Sequence, residues 1–177
     1  MAQWVNVNPF ELLKLTFGGS GYDIACAQNN TPINYQLINK KPNTSIIQFN
    51  PSFKNHLYFV YLNKKQNTRD GIAQYRLNKP HELVLNAISK ISIKIMNSKS
   101  LIEFEELLTL HEAYISEIIK QKPIKQELFN DFKGSIKSLG AWGGDFVLAT
   151  STENPTAYFK NKGFDVVIPY DDMVLKF

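Results

Sequence analysis

The chain has 177 residues, 44% of them hydrophobic and 20% charged, which suffices for a packed core and excludes global disorder. The net charge of +4 is mild and the basic residues are spread along the chain, so an anionic ligand suits it and nucleic acid is not expected as a partner. One cysteine, Cys26, excludes an intrachain disulfide framework and any multi-cysteine zinc site. No apolar run approaches the roughly 18–20 residues that span a bilayer. Residues 1–9 lack the basic and apolar regions of a secretory signal, so a soluble cytoplasmic protein with no membrane partner is expected.

In chain order, Asn8 and Pro9 open a helix over about Pro9 to Thr16. Gly18, Gly19 and Gly21 end it, and Tyr22 to Ala27 reads as one helical turn with Asp23 near its start. Pro32 to Ile38 alternates as a strand, and Ser45 to Phe49 is a second short extended run. Turn formers separate these runs at Asn39–Asn43 and Asn50–Asn55. His56 to Leu62 is rich in aromatic and β-branched residues and reads as a buried strand. Helices follow over Thr68 to Leu77, Pro80 to Met96, Leu101 to Ile119 and Gln126 to about Lys133. Ser135 to Leu139 reads as a strand or a helix end, and Gly140 to Gly144 as a tight turn. Phe146 to Thr150 is a strand, Thr156 to Lys162 a short helix, and Phe164 to Ile168 and Met173 to Phe177 final strands. The sum predicts an α+β fold, an antiparallel sheet packed against helices.

Two glycine clusters stand out, Gly18-Gly19-Ser20-Gly21-Tyr22-Asp23-Ile24-Ala25 and Lys137-Ser138-Leu139-Gly140-Ala141-Trp142-Gly143-Gly144-Asp145. Such loops expose backbone N–H groups and can cradle an anion; each is also compatible with an ordinary tight turn. Neither matches the P-loop or the dinucleotide fingerprint. Asp23 is expected to be held by backbone donors and partly desolvated, which suits a base facing a substrate hydroxyl; it suits a helix cap equally well. His111-Glu112 begins like a zinc-protease motif, but Ile115 stands where the second histidine would be. His56 and His81 have no partner at ligand spacing, and no metal site is expected. Tyr58, Phe59 and Tyr61 lack the accompanying signature of an RNA-recognition module and read as a core strand.

Gly-Ser-Gly-Tyr-Asp-Ile-Ala at 19–25, followed much later by Lys-Ser-Leu-Gly-Ala-Trp-Gly-Gly-Asp at 137–145, resembles the GHMP kinases, the superfamily of galactokinase, homoserine kinase, mevalonate kinase and phosphomevalonate kinase. The literal Gly-Tyr-Asp-Ile-Ala string looks like the branch named for those letters. Asn67-Thr68-Arg69-Asp70 is a weaker match, to a segment of phosphomevalonate kinases, and Asp145 leans the same way.

The resemblance implies ATP-dependent phosphorylation of a small molecule, mevalonate or phosphomevalonate, with ATP and Mg²⁺ as cofactors. It makes Asp23 the catalytic acid/base. Ser20, Gly21, Ala141, Gly143, Gly144 and Asp145 would shape the nucleotide and phosphate site, and Thr68 and Arg69 would hold substrate phosphate. It further implies a remnant of the N-terminal kinase domain over 1–40 and a ferredoxin-like C-terminal domain over 41–177.

Two departures carry expectations of their own. Trp142 stands where the family has glycine, so its ring is expected to alter or block close approach of a nucleotide. The family's main ATP loop, Pro-x-x-x-Gly-Leu-Gly-Ser-Ser-Ala, does not occur in the sequence, and only 17 residues precede Gly18. The chain therefore reads as the C-terminal part of a kinase. Alone it should have little or no activity, with a missing N-terminal half or a second copy as its partner. The alternatives are a non-catalytic binding or regulatory remnant of that fold and a diphosphomevalonate decarboxylase-like protein.

Overall fold

The computed structural model describes the chain except residues 1–5, 17, 65–67, 79, 141, 143 and 176–177, and describes residues 68–72 by backbone alone. The chain divides into two compact units, Met1–Phe49 with Leu175–Phe177, and Asn50–Val174.

The first unit begins with helix α1, Pro9–Leu15. Asn8 caps it by accepting from the Phe10 N–H at 2.9 Å, and proline fills the first turn, where its missing N–H costs nothing. Helix α2, Tyr22–Ala27, follows the first glycine cluster. Strands β1, Ile33–Ile38, and β2, Lys41–Ile46, form an antiparallel hairpin in which Ile38 faces Lys41. The second strand therefore starts earlier than the extended run expected at Ser45. The physical reason is the turn: Asn39 and Lys40 both take positive φ, 50° and 61°. That pair makes a two-residue hairpin turn, and Lys41 to Asn43 pass into the ladder.

The second unit is built on a four-stranded antiparallel sheet. Its strands are β3, Leu57–Tyr61; β4, Ile136–Ser138; β5, Phe146–Thr150; and β6, Val167–Pro169. Between β3 and β4 run α3, Thr68–Asn78; α4, Glu82–Asn97; α5, Leu101–Ile119; and α6, Ile124–Leu128. Helix α7, Thr156–Asn161, joins β5 to β6, and α8, Tyr170–Met173, follows. The spatial order is β4-β5-β3-β6. Each strand–helix–strand crossover is thus split by one strand: β5 lies between β3 and β4, and β3 between β5 and β6. The α+β class, with an antiparallel sheet against helices, is as the sequence predicts.

Helix α5 has the bounds its hydrophobic period suggests. Ser100 caps it by accepting from the Glu103 N–H, while the Glu103 carboxylate accepts from the Lys99 N–H, a reciprocal N-terminal lock. Helix α6 is shorter than expected. Phe129 leaves the helix as its C-cap and, with Phe132, enters the core under the sheet. There Phe129 meets Phe159 edge-on, with centroids 5.2 Å apart, and Phe132 meets the same ring at 5.1 Å. Val60 and Val147, paired across β3 and β5, lie beside them and are fully buried. Each such side chain contributes about 1.5–3 kcal/mol by leaving water, more than the helical turn given up. The strand expected at Met173–Phe177 does not form over Val174 and Leu175. Instead Pro169 ends β6, and Asp171 and Asp172 suit the first turn of α8. Among the described residues, no helix is long and apolar enough to cross a membrane.

Candidate functional site

The first glycine cluster is a backbone device. Gly18, Gly19 and Gly21 have φ of 66°, 102° and 79°, conformations that residues with a Cβ rarely adopt. Gly21 also needs its missing side chain, because a Cβ there would stand 2.8 Å from the Phe10 ring of α1. The loop is tied on both sides. Gly18 donates to the Leu13 carbonyl at 2.7 Å, and the Tyr35 hydroxyl of β1 donates to the Ser20 carbonyl. Ser20 Oγ accepts from the Tyr22 N–H at 3.3 Å. Tyr22 packs edge-on against Tyr35, with centroids 5.8 Å apart.

Asp23 follows in the first turn of α2 and is exposed. This differs from the expected desolvated carboxylate: Ala25 is the position of α2 that turns inward, and Asp23 faces outward. A hydrogen bond with Cys26, burial, and the neighbouring Cys26 and Asp23 charges push the Tyr22 hydroxyl up to about 12. Tyr22 thus stays neutral at ordinary pH.

The second cluster is organised from beneath. Glu112 lies on α5, only 3% exposed, and its carboxylate gathers three side chains from the segment 137–145. Lys137 Nζ donates to Oε1 at 2.8 Å, Trp142 Nε1 to the same oxygen at 3.2 Å, and Ser138 Oγ to Oε2 at 2.9 Å. Lys137 Nζ also donates to the Ser138 carbonyl at 2.8 Å. A carboxylate this buried is tolerable because a cation and two further donors compensate it.

Trp142 has φ of 61°, an outlier for a bulky residue. Its ring is 7% exposed and packs with Ile118 and Ile119. The ring therefore points into the helical layer, and the expectation that it stands in a ligand's way is corrected. His111, beside Glu112, has a buried Nδ1 with no hydrogen-bond partner among the described residues. Burial, and then the Lys137 charge, lower its pKa to about 4, so it is neutral at ordinary pH.

The same face of α5 holds the start of β4. Thr150 Oγ1 donates to Glu105 Oε1, and Ser135 Oγ donates to the Glu105 carbonyl at 3.1 Å. Thr109 and Ser135 hydroxyls lie 3.0 Å apart. Glu105, Thr109 and Glu112 are spaced i, i+4, i+7, a polar seam running down one face of the helix.

Of the expected site residues, Ser20, Gly21 and Asp23 are contiguous in the first unit, while Gly144 and Asp145 belong to the second. Gly144 is buried. Asp145 is exposed, and its carbonyl accepts from the Leu62 N–H at 2.7 Å. Ala141 and Gly143 lie outside the described residues, as do the side chains of Thr68 and Arg69, whose backbone belongs to α3. Among the described residues, no group of three or more His, Cys, Asp or Glu could hold a metal ion.

Sequence reasoning passed over Glu112, because His111-Glu112 drew notice only as an incomplete metal motif. The available signal was the polar i, i+4, i+7 series Glu105, Thr109 and Glu112, set among the other polar residues of α5. No protein-family model matches the chain, and no curated protein matches it.

Proposed function

We propose that the chain carries the acid/base segment and the late glycine-rich segment of a GHMP-type small-molecule kinase. The reaction is ATP-dependent phosphorylation of a small acceptor, with mevalonate and phosphomevalonate the first candidates. The carrying observation is the exposed Asp23 carboxylate, set behind a glycine loop whose left-handed backbone the literal Gly-Ser-Gly-Tyr-Asp-Ile-Ala string requires. The split crossovers of residues 50–174 also support it, since they are compatible with the ferredoxin-like C-terminal layer that the resemblance implies. The inward turn of Trp142 removes one steric objection.

In this reading Asp23 accepts the acceptor's hydroxyl proton or orients that hydroxyl for attack, and Ser20 and Gly21 fix the carboxylate's place. Phosphoryl transfer depends mainly on positioning and charge neutralisation, so a preset loop and one placed carboxylate suit it. The described residues provide no protein cage for Mg²⁺, and no step is assigned to that ion.

One observation favours a second reading, a non-catalytic binding module of the same fold: Lys137, the one basic residue of segment 137–145, is committed to Glu112. Equilibrium dialysis with labelled ATP and Mg²⁺ separates the two, followed by ATP consumption with each acceptor. Bound nucleotide supports the kinase reading. A folded chain that binds none overturns it, and CO₂ release from a diphosphorylated mevalonate transfers the assignment to decarboxylation.

A further inference from the structure

We infer that Glu112 is the positioning residue of the late glycine-rich segment: its buried carboxylate holds Trp142 beneath the loop and so presets the loop for a phosphate-bearing ligand. The ligand half of this statement rests on the kinase reading; the positioning half does not.

Three observations converge. The carboxylate takes donors from both flanks of Gly140, with Lys137 and Ser138 before it and Trp142 after it. The Trp142 backbone sits in a left-handed conformation that a bulky residue adopts only when its surroundings impose it. The ring beyond that backbone is packed against Ile118 and Ile119, one to two turns further along the helix that carries Glu112. Strand β4, a single hydrogen bond from Leu139 to Phe146, and strand β5 close the segment from the sheet side. Glu112 closes it from the helix side. Among the described residues of the segment, Gly140, where a Cβ would meet nothing within 4 Å, and Asp145 are exposed.

Glu112 acts through the loop, since its carboxylate oxygens accept from Lys137, Ser138 and Trp142. Its partner in the seam, Glu105, is an internal control: it sits seven residues earlier on α5 and binds Thr150 without touching Trp142.

The experiment uses the full chain with Trp4 replaced by Phe, leaving Trp142 as the one tryptophan of the two in the sequence. Glu112→Gln should red-shift Trp142 emission and raise its quenching by acrylamide. Amide exchange across 138–146 should accelerate about tenfold, the scale of one lost charge-assisted hydrogen bond. Glu105→Gln should lower the melting midpoint with Trp142 emission unmoved. Should Glu112→Gln not fold, Trp142→Phe removes the indole N–H together with the five-membered ring that carries it while leaving an aromatic ring at that position, and the same acceleration of exchange is expected.

If Glu112→Gln, or Trp142→Phe in its place, leaves exchange across 138–146 unchanged, or if Glu105→Gln moves Trp142 emission equally, the positioning role is overturned. Mg-ATP is then added to the parent and to each variant. Loss of nucleotide binding in Glu112→Gln with retention in Glu105→Gln supports the whole inference. A parent that binds no nucleotide while Glu112→Gln still loosens the loop overturns the kinase reading and leaves the positioning role standing.

Discussion

Gly134→Ala is the sharpest test of how the second glycine segment is mounted. Gly134 precedes β4, and its backbone lies against Thr150 of β5. A Cβ built there stands 1.7 Å from the Thr150 carbonyl oxygen and 2.8 Å from its carbonyl carbon. Both are backbone atoms, so no rotamer change relieves the clash. Ordinary contact begins at 3.4 Å, so the distance between the two backbones at this point must about double. That movement strains three hydrogen bonds: Ser135 N–H to Thr150 Oγ1 at 2.8 Å, Thr150 N–H to the Ser135 carbonyl at 3.0 Å, and Lys125 Nζ to the Gly134 carbonyl at 2.6 Å.

At about 1 kcal/mol each, their loss costs about 3 kcal/mol before any strain in the strands. For a chain of this length that lowers Tm by about 6–12 °C. Gly140→Ala is the control. Its φ of 62° disfavours a Cβ, but the space around it is open, so about 1–2 kcal/mol is expected. The assay is thermal unfolding followed by circular dichroism. If Gly134→Ala melts within about 1 °C of the parent, or above Gly140→Ala, the close approach of residue 134 to β5 is wrong.

Other outcomes follow from the same structure. Phe159→Ala removes a fully buried ring from the aromatic cluster and should destabilise by about 3–5 kcal/mol in urea titration. Ser100→Ala deletes the α5 cap and should cost about 1 kcal/mol, seen as a lower urea midpoint with unchanged slope. His111 has a folded-state pKa lowered from 6.5 to about 4, so the unfolded chain binds its proton first. The stability associated with neutral His111 is full above pH 6.5 and falls as pH drops from 6.5 toward 4. His111→Leu should flatten that part of the stability profile, and the His111 imidazole resonances of the parent should titrate near 4 rather than 6.5.

What the sequence discloses depends on whether a signal is local. Helix α5 has the expected bounds because its cap, its reciprocal Glu103 contact and its hydrophobic period agree. Strand β5 is bounded as expected by its short apolar run and the turn before it. Helix α6 ends early because Phe129 and Phe132 are claimed by the distant ring of Phe159. The hairpin turn at Asn39 and Lys40 is tighter than its composition suggests, since lysine rarely enters the left-handed region.

The candidate site follows the same division. The glycines announce the loops, and the positive φ values at Gly18, Gly19 and Gly21 account for them. The exposure of Asp23 depends on which face of a six-residue helix packs inward, and composition does not say. The inward turn of Trp142 depends on Glu112, thirty residues away in sequence and adjacent only in the fold.

The thermal midpoint with and without Mg-ATP, with Asp23→Asn beside the parent, bears most directly on the proposed function. Ligand at about a hundred times its dissociation constant adds roughly 2.7 kcal/mol. The kinase reading predicts a rise of about 5–11 °C in the parent. It predicts the same rise in Asp23→Asn, because that carboxylate serves the acceptor and not the nucleotide. A chain that melts cooperatively at one temperature, whatever the Mg-ATP concentration, contradicts the reading, and its glycine segments would then be structural turns.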